Sequence, residues 1–186
     1  IINAGELGDT VALSGTTLGD VTTVTVTING ATVGTATVQP DGSWSLDVPA
    51  TQFPDQGNYT VVATTDGGTP ATTTVTVALD TVPPVVTVGA IAGDDIIDAT
   101  EASQPLVLSG TASTSEAGRQ VTVTFNGETY YAVVGADGAW SVSVPQSAVS
   151  GLADGDYTVT ATLTDAAGNA DTDSRTVTLN ADGPLL

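Results

Sequence analysis

The sequence contains no cysteine, histidine, methionine or lysine. Without cysteine there is neither a disulfide nor a thiol nucleophile, and without histidine there is no imidazole base. The absence of lysine excludes the lysine-based isopeptide cross-links that stiffen many pilin-like sandwiches. Carboxylate pairs could in principle hydrolyse glycosides, but no pattern here indicates a cleft with aromatic subsites, so we expect no enzyme. A bound metal would need oxygen ligands, which disfavours zinc and favours calcium.

Positive charge is almost as scarce. Lysine and arginine together number 2, aspartate and glutamate number 21, and the formal net charge is −19. The two cations are Arg119 and Arg175. A chain this acidic repels nucleic acid phosphates and anionic lipid surfaces, and it favours divalent cations or basic partners. The simpler explanation of the same charge is solubility.

Aromatic residues are few, at 4%, and no apolar run is long enough to cross a membrane as a helix. We therefore expect no direct membrane insertion. No signal peptide is visible at Ile1, so the sequence reads as a fragment excised from a longer protein. Its 186 residues suit one large domain or two of about 90.

What the sequence does contain is an internal repeat. Leu13-Ser14-Gly15-Thr16 reappears as Leu108-Ser109-Gly110-Thr111, and Asp41-Gly42 before one tryptophan reappears as Asp137-Gly138 before the other. Small loop insertions explain why the offset between the copies drifts slowly. The matched pairs that show this drift are Glu6 and Glu101, Trp44 and Trp140, and Tyr59 and Tyr157.

Each copy reads as a series of short alternating strands. In Tyr157–Leu163 every second residue is apolar, so one face packs in a core while the threonines face water. Asn29-Gly30 and Asn126-Gly127 supply the positive φ angles that tight hairpins need. About seven strands per copy predict an all-β fold, with two tandem immunoglobulin-like β-sandwich domains in an end-to-end rod.

The large aromatic residues fit this arrangement. Trp44 and Trp140 lie in register with core positions of their strands, so we predict that both are buried. Tyr59 and Tyr157 begin the penultimate strand of each copy, which is typical of a tyrosine corner.

The domain boundaries follow from the repeat. We predict repeat 1 over residues 1–80, a stiff Pro-rich linker over 81–84, repeat 2 over 85–182 and the start of a next linker over 183–186. Repeat 2 begins with the strand Val85–Val88, whose counterpart is missing from repeat 1. Either the fragment was cut inside a domain or another segment supplies that strand, and an open edge there would invite strand addition.

Acidic residues gather at the predicted ends of the sandwich, where successive domains meet. Several carboxylates at one end would repel each other unless a cation sat among them, and Ca²⁺ takes six to eight oxygen ligands. The alternative is that aspartate and glycine are simply turn formers. Repeat 1 is the poorer candidate, because its loop Asp66-Gly67-Gly68 has fewer ligands. The predicted calcium ligands are Asp80, Asp94, Asp95, Asp98, Glu101, Asp154, Asp165, Asn169, Asp171 and Asp182.

Four segments together resemble a known family: Asp80–Pro84, Ile91–Ala102, Asp154–Ala161 and Thr164–Asn169. They are similar to the bacterial Ig-like extender repeats of giant RTX and Bap-type surface adhesins, over essentially the whole chain. The resemblance implies export by type I secretion, a place at the bacterial cell surface, and rods of neighbouring repeats stiffened by Ca²⁺. Such rods hold a distal ligand-binding region away from the cell and support biofilm attachment. The family pattern carries over as metal ligands to Asp80, Asp94, Asp95, Asp98, Glu101, Asp165 and Asn169.

Two classes of function therefore compete. The first is a Ca²⁺-stiffened, monomeric spacer whose partners are its neighbouring repeats. The second is a binding module, which would bind either a glycan or an added strand. Glycan sites usually present exposed aromatics, of which this chain has few, whereas strand addition would use the unfilled first-strand position of repeat 1.

Overall fold

The structure, a computed structural model, describes residues 1–181. Asp182 and the predicted next linker, residues 183–186, lie outside the described residues. The chain divides into two compact units, of which unit 1 runs from Ile1 to Val82 and unit 2 begins at Pro83. This division falls inside the segment 81–84 that the sequence predicts as a linker.

Unit 1, all of which is described, is built from two antiparallel sheets. Its strands are β1 (Thr10–Thr16), β2 (Thr23–Ile28), β3 (Ala31–Thr37), β4 (Ser43–Pro49), β5 (Gly57–Thr65) and β6 (Thr72–Leu79). One sheet has the order β3-β2-β5-β6, and the other pairs β1 with β4. A 3-10 turn at Ala50–Gln52 follows β4.

Unit 2 repeats this plan with two additional short strands. Its strands are β7 (Val86–Val88), β8 (Ile96–Asp98), β9 (Leu106–Ala112), β10 (Gln120–Phe125), β11 (Glu128–Val133), β12 (Ala139–Val144), β13 (Gly155–Thr164) and β14 (Ala170–Asn180). The sheets are β12-β9-β7 and β11-β10-β13-β14-β8. A 3-10 turn lies at Thr114–Glu116, and two one-turn helices are α1 (Ala99–Ala102) and α2 (Gln146–Val149).

The alternation of valine and threonine explains why these segments form a sandwich. In β2, Val24, Val26 and Ile28 are buried while the threonines between them are less so. β13 follows the same rule with its inward residues Val159 and Ala161. Successive side chains of a strand point to opposite faces, so each strand contributes one row to the core between the sheets. The predicted all-β, immunoglobulin-like sandwich fold is confirmed.

The predicted positions of the aromatic residues are confirmed as well. Trp44 and Trp140 are 9% and 2% exposed, and both belong to the core of their unit. The Tyr59 hydroxyl donates to the backbone carbonyl of Asp55, and the Tyr157 hydroxyl donates to that of Ala153, each over 2.8 Å. Each tyrosine thus ties the start of its strand to the preceding loop.

The two units differ at one margin of the sandwich. In unit 2, β7 pairs antiparallel with β9, so β9 has a partner on both sides. In unit 1, whose residues are all described, the counterpart of β9 is β1, and it pairs with β4 alone. Among the described residues, β1 therefore lies at the edge of its sheet.

Core packing gives a direct test of this arrangement. Leu108 in β9 is fully buried, whereas its neighbour Val107 is 57% exposed. We expect Leu108→Ala to lower the free energy of unfolding of unit 2 by about 2–5 kcal/mol, because it leaves a cavity. Val107→Ala should change it by less than about 0.5 kcal/mol. Urea denaturation followed by tryptophan fluorescence measures both, and equal effects would contradict the assigned faces of β9.

Candidate metal-binding loops

The acidic residues that the sequence singles out in unit 2 lie at the two ends of the β13–β14 hairpin. Thr164 pairs with Ala170 at the turn end, beside Asp165, and Gly155 pairs with Leu179 at the other end. The ten-residue ladder between them is about 30 Å long. We call these the turn end, with Asp165, Asn169 and Asp171, and the open end, with Asp94, Asp95, Asp98, Glu101 and Asp154.

Asp165 organises the turn end. Its Oδ1 accepts hydrogen bonds from the backbone N–H groups of Ala167, Gly168 and Asn169 at 2.7–2.9 Å, and its Oδ2 accepts one from the Asn169 side-chain amide. Both Asp165 and Asn169 are buried. Burial opposes ionisation of Asp165, but these donors outweigh it and lower the pKa of its carboxyl group. Within unit 2, this pair holds the hairpin turn together.

Two carboxylates of β14 bind the backbone of β7. Asp171 Oδ2 accepts the N–H of Val86 at 2.9 Å, and Asp173 Oδ2 accepts the N–H of Val88 at 2.7 Å. Both aspartates share a face of β14 with the core residue Val177, so they point toward the sandwich interior. Backbone donors that would otherwise lie unpaired at the sheet margin are satisfied in this way.

At the open end, Asp95 is held by one of the two cations of the chain. Arg175 Nε and Nη2 donate to Asp95 Oδ1 and Oδ2, both at 2.6 Å, in a bidentate pair. Asp95 Oδ1 also accepts the N–H of Ile91. The hydrogen bonds from Arg175, then that from Ile91, lower the pKa of Asp95 to about 2, and the pair raises the pKa of Arg175.

The neighbouring acids cap α1 and a turn. Asp98 Oδ1 accepts the N–H groups of Thr100 and Glu101, and Glu101 Oε2 accepts the N–H of Asp98, which makes a capping box. Asp94 Oδ1 accepts the N–H of Ile96. Asn3 and Glu6 of unit 1 form the same reciprocal pair as Asp98 and Glu101.

The remaining predicted ligands also have backbone partners. Asp154 Oδ1 accepts the N–H of Ala181 in unit 2, and Asp80 Oδ1 accepts the N–H of Val82 in unit 1. Asp182 lies outside the described residues. Asp80 and Asp165 belong to different units.

The donor chemistry of these loops suits calcium, since oxygen is the only ligand type available. Within a unit, however, the fold does not bring these oxygen ligands together. Over residues 1–181, no three acidic groups of one unit come close enough together to hold a metal ion. The structure instead shows each carboxylate engaged with nearby backbone donors or with Arg175, so no ligand set follows from either unit by itself.

Two features of the site were missed by sequence reasoning. The Asp95–Arg175 pair joins residues 80 positions apart, and no local pattern predicts it. The role of Asp171 and Asp173 could have been found from the alternation of residues in β14. Every second residue of this strand faces inward, and the inward series comprises Asp171, Asp173, Arg175 and the buried Val177 and Leu179. Charged residues on an inward face indicate a polar partner.

The profile of the family described as the bacterial Ig-like domain matches residues 87–182, just over half of the chain. The chain therefore belongs to the bacterial Ig-like domain family, as the sequence analysis predicts.

Solved structures of adhesins are similar over nearly the whole chain. One is a Ca²⁺-stabilised adhesin with which an Antarctic bacterium binds ice: it is 39% identical over 96% of this chain and 46% of its own, with a TM-score of 0.54. Another is a 1.5-MDa bacterial ice-binding adhesin, 31% identical over 97% of this chain and 60% of its own, with a TM-score of 0.51. The chain thus spans about half the length of these structures.

The fold is shared more widely than the sequence. Fibronectin(III)-like modules of Clostridium thermocellum CbhA match 97% of this chain and 87% of their own at 15% identity, with a TM-score of 0.59. A likeness at that identity shows the fold alone. No curated protein sequence matches the chain. Among the described residues, no helix is both long and apolar enough to span a membrane.

The Asp95–Arg175 pair predicts a pH dependence. Because the pKa of Asp95 is lowered from 3.8 to about 2 in the folded chain, the pair contributes stability above pH 4 that is lost as the pH falls through 2. We expect Arg175→Gln to lower the melting temperature at pH 7, and the gap from wild type to close between pH 4 and 2. Arg119→Gln removes the same charge from a pair with Glu116 that is joined at one contact, Nε to Oε2 at 2.8 Å, and is not bidentate, so it should have a smaller effect. A gap that stays constant down to pH 2 would contradict the assignment.

Asp165 offers a test between a structural and a metal-binding role. We expect Asp165→Ala to reduce the free energy of unfolding by about 1–3 kcal/mol, because it leaves the donors of the turn without their acceptor. The loss should be of similar size in EDTA and in Ca²⁺, as measured by denaturation in each buffer. Glu128→Ala, which removes an exposed charge from β11, serves as the control. A loss seen only in Ca²⁺ would make Asp165 a ligand instead of a turn anchor.

Proposed function

We propose that this chain is an extender segment of a secreted bacterial surface adhesin. In this proposal the two units are tandem immunoglobulin-like domains of an end-to-end rod, and neighbouring repeats of the same protein are its partners. The observation that carries the proposal is the 39% identity to a Ca²⁺-stabilised bacterial adhesin over 96% of this chain. The role is to hold a distal ligand-binding region away from the cell during adhesion and biofilm formation, which is structural and not catalytic.

The architecture of the chain supports a spacer. Two units of similar fold follow each other directly, and the division between them lies beside Pro83 and Pro84. Two prolines fix φ and remove two backbone donors, so this segment resists bending more than a Gly/Ser linker would. Large buried side chains, including both tryptophans, fill the cores of the two units.

We further propose that Ca²⁺ stiffens the rod. The support is the excess of 21 acidic over 2 basic residues, the availability of oxygen ligands alone, and the Ca²⁺ stabilisation of the similar Antarctic adhesin. The predicted ligands remain the candidates, Asp80 and the acidic residues of the two ends of unit 2. When bound, Ca²⁺ would neutralise carboxylates that otherwise repel each other across a loop. Residues Asp95, Asp98 and Asp165 already hold local structure, so the ion would add to their hydrogen bonds and not replace them.

Solution scattering with and without calcium tests this part. We expect the maximum dimension of the chain to be larger and better defined in millimolar Ca²⁺ than in EDTA, with Mg²⁺ at the same concentration having less effect. Thermal melting in the same buffers should show stabilisation by Ca²⁺. Identical scattering and identical melting in Ca²⁺ and EDTA would sink the calcium proposal and leave only the adhesin family.

A point variant sharpens the same experiment. Asp80→Asn retains the size of the side chain and removes one charge three residues before Pro83, so we expect it to weaken the response to Ca²⁺. Glu128→Gln removes the same charge from an exposed position of β11 and should respond like wild type. Equal responses from both variants would exclude Asp80 as a ligand.

The glycan-binding alternative has little structural support. Sugar platforms present flat aromatic rings to solvent, whereas both tryptophans here are buried. Among the described residues, Tyr131 is the one aromatic residue that counts among the exposed large apolar side chains, at 59%. The alternative by strand addition would use the edge of β1 in unit 1.

A further inference from the structure

Strand β11, from Glu128 to Val133, forms one edge of the five-stranded sheet of unit 2. It pairs with β10 on one side and with no described strand on the other. Two large apolar side chains lie two positions apart along it, since Tyr131 is 59% exposed and Val133 is 61% exposed. No other strand within residues 1–181 has two exposed large apolar side chains so arranged. An edge of this kind is a site at which a further strand can pair.

The free side of β11 has backbone groups that are directed away from its sheet. Val134, just after the strand, donates its N–H to the carbonyl oxygen of Arg119 at 2.9 Å, so its backbone faces β10. Backbone groups alternate in direction along a strand, and the N–H and C=O groups of Thr129, Tyr131 and Val133 therefore face away from β10. These three residues offer both donors and acceptors to a partner strand.

The corresponding edge of unit 1, strand β3, has features that oppose pairing. Thr35 and Thr37 occupy the places of Tyr131 and Val133 in the matching hairpin. The ladder between β2 and β3 also shifts register once, as at a β-bulge, whereas the ladder between β10 and β11 is continuous. Bulges, charges and prolines are the usual means by which sheets prevent pairing at their edges. From Thr129 to Val133, β11 has none of these.

The strand is complementary to a second copy of itself. Antiparallel pairing about a two-fold axis at Tyr131 places this residue opposite itself and Thr129 opposite Val133 of the other copy. All three residues direct their backbone groups outward, so this register forms about six main-chain hydrogen bonds. Directly opposed residues share a face, and the two tyrosines and two valines therefore form one apolar cluster on the outer surface. The two five-stranded sheets join edge to edge.

Charge favours this partner in the same register. Two copies of net charge −19 repel each other, so contact is most favourable along a line without acidic residues, and residues 129–133 form such a line. At the end of the ladder, Glu128 lies opposite Val134 of the other copy, whose neighbour in the next strand is Arg119. With strands about 4.8 Å apart, the Cα atoms of Glu128 and that arginine are about 10 Å apart, within reach of two long side chains. Arg119 is 38% exposed, so an acidic residue meets a cation there.

We propose that unit 2 associates with a second copy of itself through β11, by antiparallel pairing about Tyr131. A five-residue ladder is a small contact, so the pair belongs to the weak class of interfaces, which bury less than about 1,200 Å² in total. Several such contacts between two chains that each contain repeated units would reinforce one another. The inference depends on the geometry of unit 2, and it requires neither calcium nor the extender role.

Sedimentation of the whole chain tests the association, at physiological salt so that the net charge is screened. We expect monomers at micromolar concentrations and a rising fraction of dimers as the concentration approaches about 1 mM. The result should be the same in Ca²⁺ and in EDTA, which separates this proposal from the calcium proposal. A chain that stays monomeric over the whole range would overturn the proposal and leave the edge to a partner of different sequence.

Amide signals of a ¹⁵N-labelled chain locate the contact. We expect the N–H signals of Thr129, Tyr131 and Val133 to shift with protein concentration, because these groups gain hydrogen-bond partners in the dimer. The signals of Thr35 and Thr37, at the matching edge of unit 1, should stay fixed. Dimers that leave the β11 signals unmoved would place the contact elsewhere, and the proposal would be wrong.

A matched pair of proline variants distinguishes the edge of β11 from non-specific association. Tyr131→Pro removes an outward N–H at an edge position, where proline is tolerated, so it should abolish the dimer. Thr35→Pro makes the same change in β3 and should leave the dimer unaffected. The indole N–H signal of Trp140 reports whether unit 2 remains folded. An equal loss of dimer in both variants, or no loss in either, contradicts the proposal.

Two further variants test the side chains of the ladder. Val133→Thr gives unit 2 the residue found at Thr37 of unit 1, and we expect it to raise the dissociation constant of the dimer by about tenfold, because the change acts twice in a symmetric pair. Thr129→Val places a second valine opposite Val133 of the other copy and should strengthen the dimer, a gain that misfolding cannot produce. Unchanged dissociation constants in both variants would contradict the two-fold register.

Discussion

The core between two sheets is accessible to water along the edges where the sheets diverge, unless strands or polar contacts cover those edges. Most features of this molecule depend on that constraint. The alternation of valine and threonine fills the space between the sheets, but it does nothing for their edges. In unit 2, β7 forms the edge of one sheet beside β9, and β8 forms the edge of the other sheet beside β14. The inward-facing charges of β14 are paired: Asp171 and Asp173 accept backbone N–H groups of β7, and Arg175 donates to Asp95. Unit 1 has the uncharged residues Ala71, Thr73 and Val75 at the matching positions of its hairpin.

The acidity of the chain has two parts with different physical roles. A minority of carboxylates, including Asp66, Asp95 and Asp165, are fixed by hydrogen-bond donors that lower their pKa. These groups build turns and hold strands, so they act at short range. The rest of the charge is distributed over the surface and produces repulsion along the chain, which a divalent ion or salt would relieve. A function for the charge as a whole therefore does not require every acidic residue to be a ligand.

Sequence reasoning succeeded where the cause was local. The period of two along each strand, the Asn-Gly hairpins, the buried tryptophans and the tyrosine corners each depend on a few adjacent residues, and all of them are present. The pairing of Asp95 with Arg175 and of Asp171 with Val86 joins positions 80 to 85 residues apart, which only the folded topology determines. For the same reason, the sequence predicts clusters of acidic residues that share a loop, whereas in the structure each of these residues accepts hydrogen bonds from nearby backbone groups or from Arg175.

The short parallel ladder between β8 and β14 has a mechanical consequence. β8 lies near the beginning of unit 2, β14 lies near its end, and three pairs join them, from Thr178–Ile96 to Asn180–Asp98. Tension on the two ends of the unit would slide these strands past each other in shear, so the ladder's bonds would carry the load together and not open one after another. The parallel bridge Ile2–Leu79 has the same relation in unit 1, where Ile2 donates its N–H to Ala78 and accepts that of Asp80, so both units join a segment near their beginning to their last strand in the geometry that resists tension by shear.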